Sequence, residues 1–175
     1  MVSTEYYNVV DALVALLLDG SDTGTVTLAE LDGDGNPIEY AVYDGVPVSE
    51  KYPLYAVFVG WDASPDGEFQ SADIQQQWAG SLGAKRRDET IDVVCALVAG
   101  YGNGDRWKPA RDLGLAIQRD VETKLRQNVS LGLEPTPTRQ YLNAEFKPAG
   151  AFQEPYSETG FWFRLSFTVS VQTRT

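Results

Sequence analysis

The chain has 175 residues, one cysteine, no histidine and a formal net charge of −11. That length fits one domain with a core large enough to fold without metal or disulfide staples, and Cys95, having no partner, reads as a small buried hydrophobe in a strand. The lack of histidine removes the commonest general base and metal ligand, and the carboxylate excess opposes a grip on nucleic acid, which depends on Lys and Arg neutralising phosphates.

The charge is unevenly spread. Residues 1–84 carry one basic residue, Lys51, against fourteen acidic ones, whereas residues 85–175 carry thirteen basic against eleven acidic. Such a split suits a head-to-tail interface, in which one surface of a subunit meets a different surface of its neighbour. The first residues lack the basic and apolar regions of a signal peptide, and the run Ala12–Leu18 is too short to cross a bilayer, so a soluble chain with no membrane partner is expected.

Ser3 or Thr4 can cap a helix whose apolar residues Tyr6, Val9, Val10, Leu13, Val14, Leu16 and Leu17 recur at helical spacing, with Gly20 as a stop. Thr25–Leu31 and Ile38–Tyr43 flank the turn cluster Asp32–Pro37 and predict a hairpin, and Leu54–Trp61 predicts a third strand. Pro65–Gln77 is polar and poorly periodic and reads as loop, turning to strand only near Trp78, so residues 62–80 form one expected long loop region. Lys85–Ala99 predicts a central strand, because its apolar run Val93–Ala99 barely alternates.

Pro109 opens a second helix whose stripe runs through Leu113, Ala116, Ile117, Val121 and Leu125, with Arg111, Arg119 and Lys124 off it. Leu142, Ala144 and Phe146 alternate as a strand before a second expected long loop, residues 147–160. Phe161, Phe163, Leu165, Phe167, Val169 and Val171 alternate with polar partners in the cleanest half-buried strand of the chain. This order of elements predicts a single α+β domain over residues 1–175, with a largely antiparallel sheet and helices packed on one face.

Chemical motifs break on inspection. Asp32, Asp34 and Asn36 imitate the start of a calcium loop, but Pro37 and Tyr43 occupy the positions that need glycine and a bidentate glutamate. Gly100-Tyr101-Gly102-Asn103-Gly104 lies between strand and helix, yet Asp105 opposes phosphate and Lys108-Pro109 replaces the Lys-Ser or Lys-Thr of a P-loop. No serine or threonine has a histidine or a Ser-x-x-Lys context to activate it. No catalytic, metal or cofactor residue is assigned. Candidate subunit-interface residues are the basic run Lys85, Arg86 and Arg87, the tryptophans Trp78, Trp107 and Trp162, and Arg164, which shares the polar face of the last strand with Trp162. Trp162→Ala and charge reversal at Arg86 and Arg87 are expected to weaken assembly more than folding. A carbohydrate-binding module stacking sugars on Trp61 and Trp78 is the alternative from a different class.

The stretch Arg86–Arg111, with its strand, glycine-rich turn and helix start, joins the N-terminal helix, the closing strand Phe161–Val171 and the phrases Tyr43-Asp44-Gly45-Val46-Pro47, Val59-Gly60-Trp61-Asp62 and Thr173-Arg174-Thr175. Together these resemble the tail terminator proteins of long-tailed bacteriophages, also called tail completion or minor tail proteins. The resemblance implies a non-enzymatic virion protein, built in the host cytoplasm, whose six copies ring the head-proximal end of the tail tube. Its implied partners are the tube protein, a head-tail connector or stopper protein, and genomic DNA passing through the lumen unbound. Another connector, stopper or tube ring protein is the nearest alternative.

Overall fold

The computed structural model describes residues 5–32, 34–45, 54–62, 71–79, 86–101, 107–136, 140–157 and 160–174. Ser3, Thr4, Lys85, Gly102–Arg106 and Thr175 lie outside them, so the expected helix cap and most of the glycine-rich turn do too. Helix α1 (Tyr6–Leu18) buries Val9, Val10, Leu13 and Leu17 on one stripe and ends where Asp19, in left-handed conformation, donates its N–H to Ala15 and Leu16. Strands β1 (Thr25–Leu31) and β2 (Pro37–Asp44) form the expected hairpin. In its turn the Asp32 carboxylate accepts the N–H groups of Asp34 and Asn36 at 2.9 and 2.8 Å. These bonds, Asn36 foremost, hold its carboxyl below the usual range, and they are the work of a turn.

Strands β3 (Tyr55–Val59), β4 (Ala72–Ala79), β5 (Arg86–Tyr101), β6 (Gln140–Ser157) and β7 (Gly160–Arg174) complete one sheet in the order β1-β2-β3-β5-β7-β6, with β4 also paired to β5. Only β2 and β3 run parallel; the other pairings are antiparallel. Strand β5 is the axis. Strand β7 follows one of its edges from Asp88 to Tyr101, while β3 and β4 share the other, facing Cys95–Ala99 and Arg86–Val93 in turn. Val94 marks the junction, since its carbonyl accepts the Gly60 N–H at 2.7 Å and its own N–H donates to Ser71 at 3.0 Å. The chain therefore leaves β5 at Gly60 and rejoins it at Ser71.

Of the two expected loops, residues 72–79 of the first and 147–157 of the second are strand, while residues 63–70 and 80 of the first lie outside the described residues. Gln75-Gln76-Gln77 pairs with Thr90, Glu89 and Asp88 inside β4, where pairing overrides a sequence with little alternation. Residues 147–157 belong to β6 despite Pro148 and Pro155. Strand β6 lies at the sheet edge and shifts register beside both prolines, which is where a residue without an N–H is tolerated.

Both helices cover the same face. Helix α2 (Lys108–Gln127) has Pro109 in its first turn and packs Leu113, Ile117, Val121 and Leu125 against the odd-numbered residues of β5 and β7. The α+β architecture with helices on one face is as expected. Lys124 departs from expectation, because it is buried beneath α1 and not off the stripe. A second, small cluster of Ala56, Phe58 and Trp61 lies on the opposite face, where Asp62 reaches over β5 to accept a bond from Ser166 on β7.

Gly114 lets α2 approach the sheet, since a Cβ there would fall 2.2 Å from the Phe163 ring. Gly114→Ala gains about 1 kcal/mol of helix propensity but overpacks the core at a cost of roughly 1–3 kcal/mol or more. Chemical denaturation is expected to show net destabilisation, with a smaller loss in a Phe163→Leu background.

Candidate subunit-interface surfaces

Below Val94 the sheet is only four strands wide, in the order β4-β5-β7-β6. Its helix-free face is polar in every described row. Asp73, Asp92, Ser170 and Glu145 form one row, and Gln75, Thr90, Gln172 and Asn143 the next. Gln77, Asp88 and Arg174 follow, with Arg174 gripping Asp88 through a forked pair of bonds at 2.7 and 3.0 Å. Lys147 lies 4.0 Å from both Asp92 and Glu145. Among the described side chains, Asp73, Asp88, Asp92 and Glu145 stand against Lys147 and Arg174, an excess of negative over positive charge on this face.

The lateral edges of this section, along β4 and β6, have no strand partner among the described residues. Strands β4 and β7 run antiparallel to β5, and β6 antiparallel to β7, so the two outer edges point in opposite directions. Strand β4 contains no proline and one charged residue, and the first eight residues of β6, Gln140–Lys147, are also free of proline. The β4 edge thus has few of the usual guards against pairing with another chain, whereas the β6 edge carries Glu145, Lys147 and a register shift between Tyr141 and Asn143.

The helix-covered face of the same section is closed by a buried polar cluster that draws one or more residues from every strand. Glu89 accepts the backbone N–H of Glu5 at 3.2 Å and Gln76 Nε2 at 2.6 Å, and Arg87 lies 3.9 Å from it. Glu5 accepts bonds from Asn8 and from the Tyr141 hydroxyl at 2.7 and 3.0 Å. Thr173 is buried beside them on the same face. At the other end of α1, Lys124 Nζ donates to the Leu17 carbonyl at 2.8 Å and pairs with Asp120 at 3.1 Å. Tyr40 donates its hydroxyl to Asp120 at 2.7 Å, and burial followed by that carboxylate pushes its phenol well above the ordinary value.

These positions redistribute the expected interface residues. Arg87 is 4% exposed and belongs to the interior, because odd positions of β5 face the helices; its charge reversal would damage folding before assembly, which corrects the expectation for this residue. Arg86 and Trp78 lie in β5 and β4 by their backbones, at the lower end of the four-stranded section, while their side chains and all of Lys85 fall outside the described residues. Trp107 is half-buried and stacks on Phe161, with centroids 4.0 Å apart, where it anchors the start of α2. Trp162 lies over Gly100, in contact distance of the place a Cβ would occupy, with Leu54 beside it; it is half-covered by its own chain. Arg164 stacks on Phe152 at 4.8 Å. Trp61 is 6% exposed, edge-on to Phe58, and offers no platform for a sugar.

A cleft of about 550 Å³ opens between the β1–β2 turn and the first turns of α2, with Tyr55 and Tyr101 in its lining. Its cations are engaged within the chain, Lys108 with Asp112 and Arg119 with Glu30. Burial pushes the Cys95 thiol up to about 12, so at neutral pH it is no nucleophile. Sequence reasoning missed the β4 edge, Glu5, Gln76 and Tyr141, because polar residues without periodicity give no sign of which strand they will join. Comparison with protein-family models finds no match, and neither does a search of curated proteins.

Asp88 is held below the usual carboxylate range by the Arg174 guanidinium. A lowered folded-state value means that this contribution to stability is present above the unfolded-state value and is lost as pH falls through the folded one. Arg174→Met is expected to return the Asp88 titration, followed by carboxyl NMR, to the ordinary range and to flatten the acid limb of the stability profile. An unchanged Asp88 titration would show that the pair does not form in solution.

Proposed function

We propose that this chain is a ring-forming structural subunit of a long-tailed phage, acting as the tail terminator that caps the head-proximal end of the tail tube. The observation that carries the reading is the four-stranded section: two edges of opposite direction, without a strand partner among the described residues, flank a sheet whose helix-free face is polar in the rows from Asp92 to Asp88. A rotation about a common axis brings the β4 edge of one copy beside the β6 edge of the next in antiparallel sense, which is a heterologous contact that closes into a ring. The resemblance to tail terminators supplies the number six.

In such a ring the polar face lines the lumen. Its carboxylate excess repels phosphates, so DNA passes without being gripped. The mechanism is assembly: the ring occupies the end of the tube, withholds the stacking surface that a further tube ring requires, and presents its opposite side to the connector. A connector, stopper or tube ring built on the same edges is the competing assignment. Native mass spectrometry with negative-stain imaging at high protein concentration is expected to give six-fold rings with a central hole. A strict monomer both alone and with purified tubes would overturn the reading, and rings that fail to bind tube ends would move it to the connector.

A further inference from the structure

The sheet is wider above Val94 than below it, and this has a steric consequence for any lateral assembly. Above the junction the order is β1-β2-β3-β5-β7-β6, whereas below it β4 takes the place of β3 and no strand lies outside β4 among the described residues. If β4 pairs with the next copy's β6, then β1 and β2 overhang the boundary by two strand spacings, roughly 10 Å. They must lie across a face of the neighbour.

On the helix-free face, the upper part of β5, β7 and β6 carries a strip that its own chain leaves partly open. Phe152 and Leu54 are each 46% exposed, Trp162 lies beside Leu54 over Gly100, and the Arg164 guanidinium is stacked on Phe152. The overhanging hairpin brings matching chemistry. Leu31, at its tip, is 60% exposed, the highest of any aliphatic side chain among the described residues. Glu30, Asp32 and Asp34 line the same cleft as Leu31, and of the two cations there Arg119 lies 3.4 Å from Glu30 while Lys108 is taken up by Asp112. An apolar knob set in carboxylates fits an aromatic strip that carries a guanidinium.

We infer that the β1–β2 hairpin of one copy docks on the Trp162–Arg164–Phe152 strip of the next copy, with Leu31 against the aromatic rings and Asp34 facing Arg164. The inference rests on the ring reading and names which surfaces of two copies meet. It also gives the acidic first half of the chain and the more basic second half distinct places in one contact.

Cysteines at Leu31 and Phe152 test it in the full-length protein. Within one subunit β1 and β6 are five strand spacings apart, roughly 24 Å, far beyond disulfide reach, and buried Cys95 contributes no background. Oxidation of Leu31→Cys/Phe152→Cys is expected to give a ladder of covalent multimers on denaturing gels, absent in either single variant. Leu31→Asp, on an exposed hairpin, and Arg164→Glu are each expected to lower assembly several-fold with circular dichroism unchanged for the former, and Asp34→Arg to restore part of the Arg164→Glu loss. Rings of wild-type mass that give no ladder and ignore Leu31→Asp would overturn the docking while leaving the ring reading intact. A wild-type protein that stays monomeric, alone and with tubes, would overturn both.

Discussion

The structure depends on how one strand, β5, is shared. Strand β7 holds one of its edges from Asp88 to Tyr101, and β3 and β4 divide the other at Val94, whose two backbone groups bond Gly60 and Ser71. Because backbone groups in a buried strand must be paired, an excursion that leaves at Gly60 has to return to the next free position on β5. That requirement makes the sheet six strands wide at one end and four at the other. The narrow end has two edges without a strand partner among the described residues and a polar helix-free face; the wide end carries the small Ala56–Phe58–Trp61 cluster and the β1–β2 hairpin, and the main core runs beneath both.

Helix α1 is fixed over this sheet by charges at both of its ends. The Glu89 carboxylate meets the backbone N–H at the start of the helix, and the Lys124 ammonium meets the Leu17 carbonyl at its finish. Each sign matches the partial charge that the aligned peptide dipoles place there. Apolar packing through Val9, Leu13 and Leu17 supplies attraction without direction, whereas the two buried ions specify which way and how far the helix lies. Burying such groups is costly unless every partner is present, so the cluster binds the narrow end of the sheet, through Gln76, Arg87 and Tyr141, to the correct placement of α1.

Much of the fold was legible in the sequence because hydrophobic period reports burial. The alternation of Phe161–Val171, the unbroken run Val93–Ala99 and the stripes of both helices each gave the right element on the right face. The failures share a cause. Gln75-Gln76-Gln77 and residues 147–157 are strands by virtue of a neighbour's free backbone groups, and no side-chain pattern records that. Arg87 and Lys124 were read as surface cations because the elements that bury them come from elsewhere in the chain: Arg87 and its strand neighbour Glu89 lie on the helix-covered face beside Glu5, and Lys124 meets the Leu17 carbonyl of α1 besides Asp120 of its own helix. Of the expected interface residues, Trp162 and Arg164 do lie on a partly open face, but the free edges that give them a context are properties of topology.

The proposed pairing of the outer edges of β4 and β6 between copies is tested most directly by amide hydrogen exchange. Outward-facing amides of Ala72–Ala79 and Gln140–Lys147 are predicted to exchange rapidly in dilute protein and to become as protected as those of β5 and β7 once particles assemble. Assembled particles in which those amides still exchange rapidly would contradict the account.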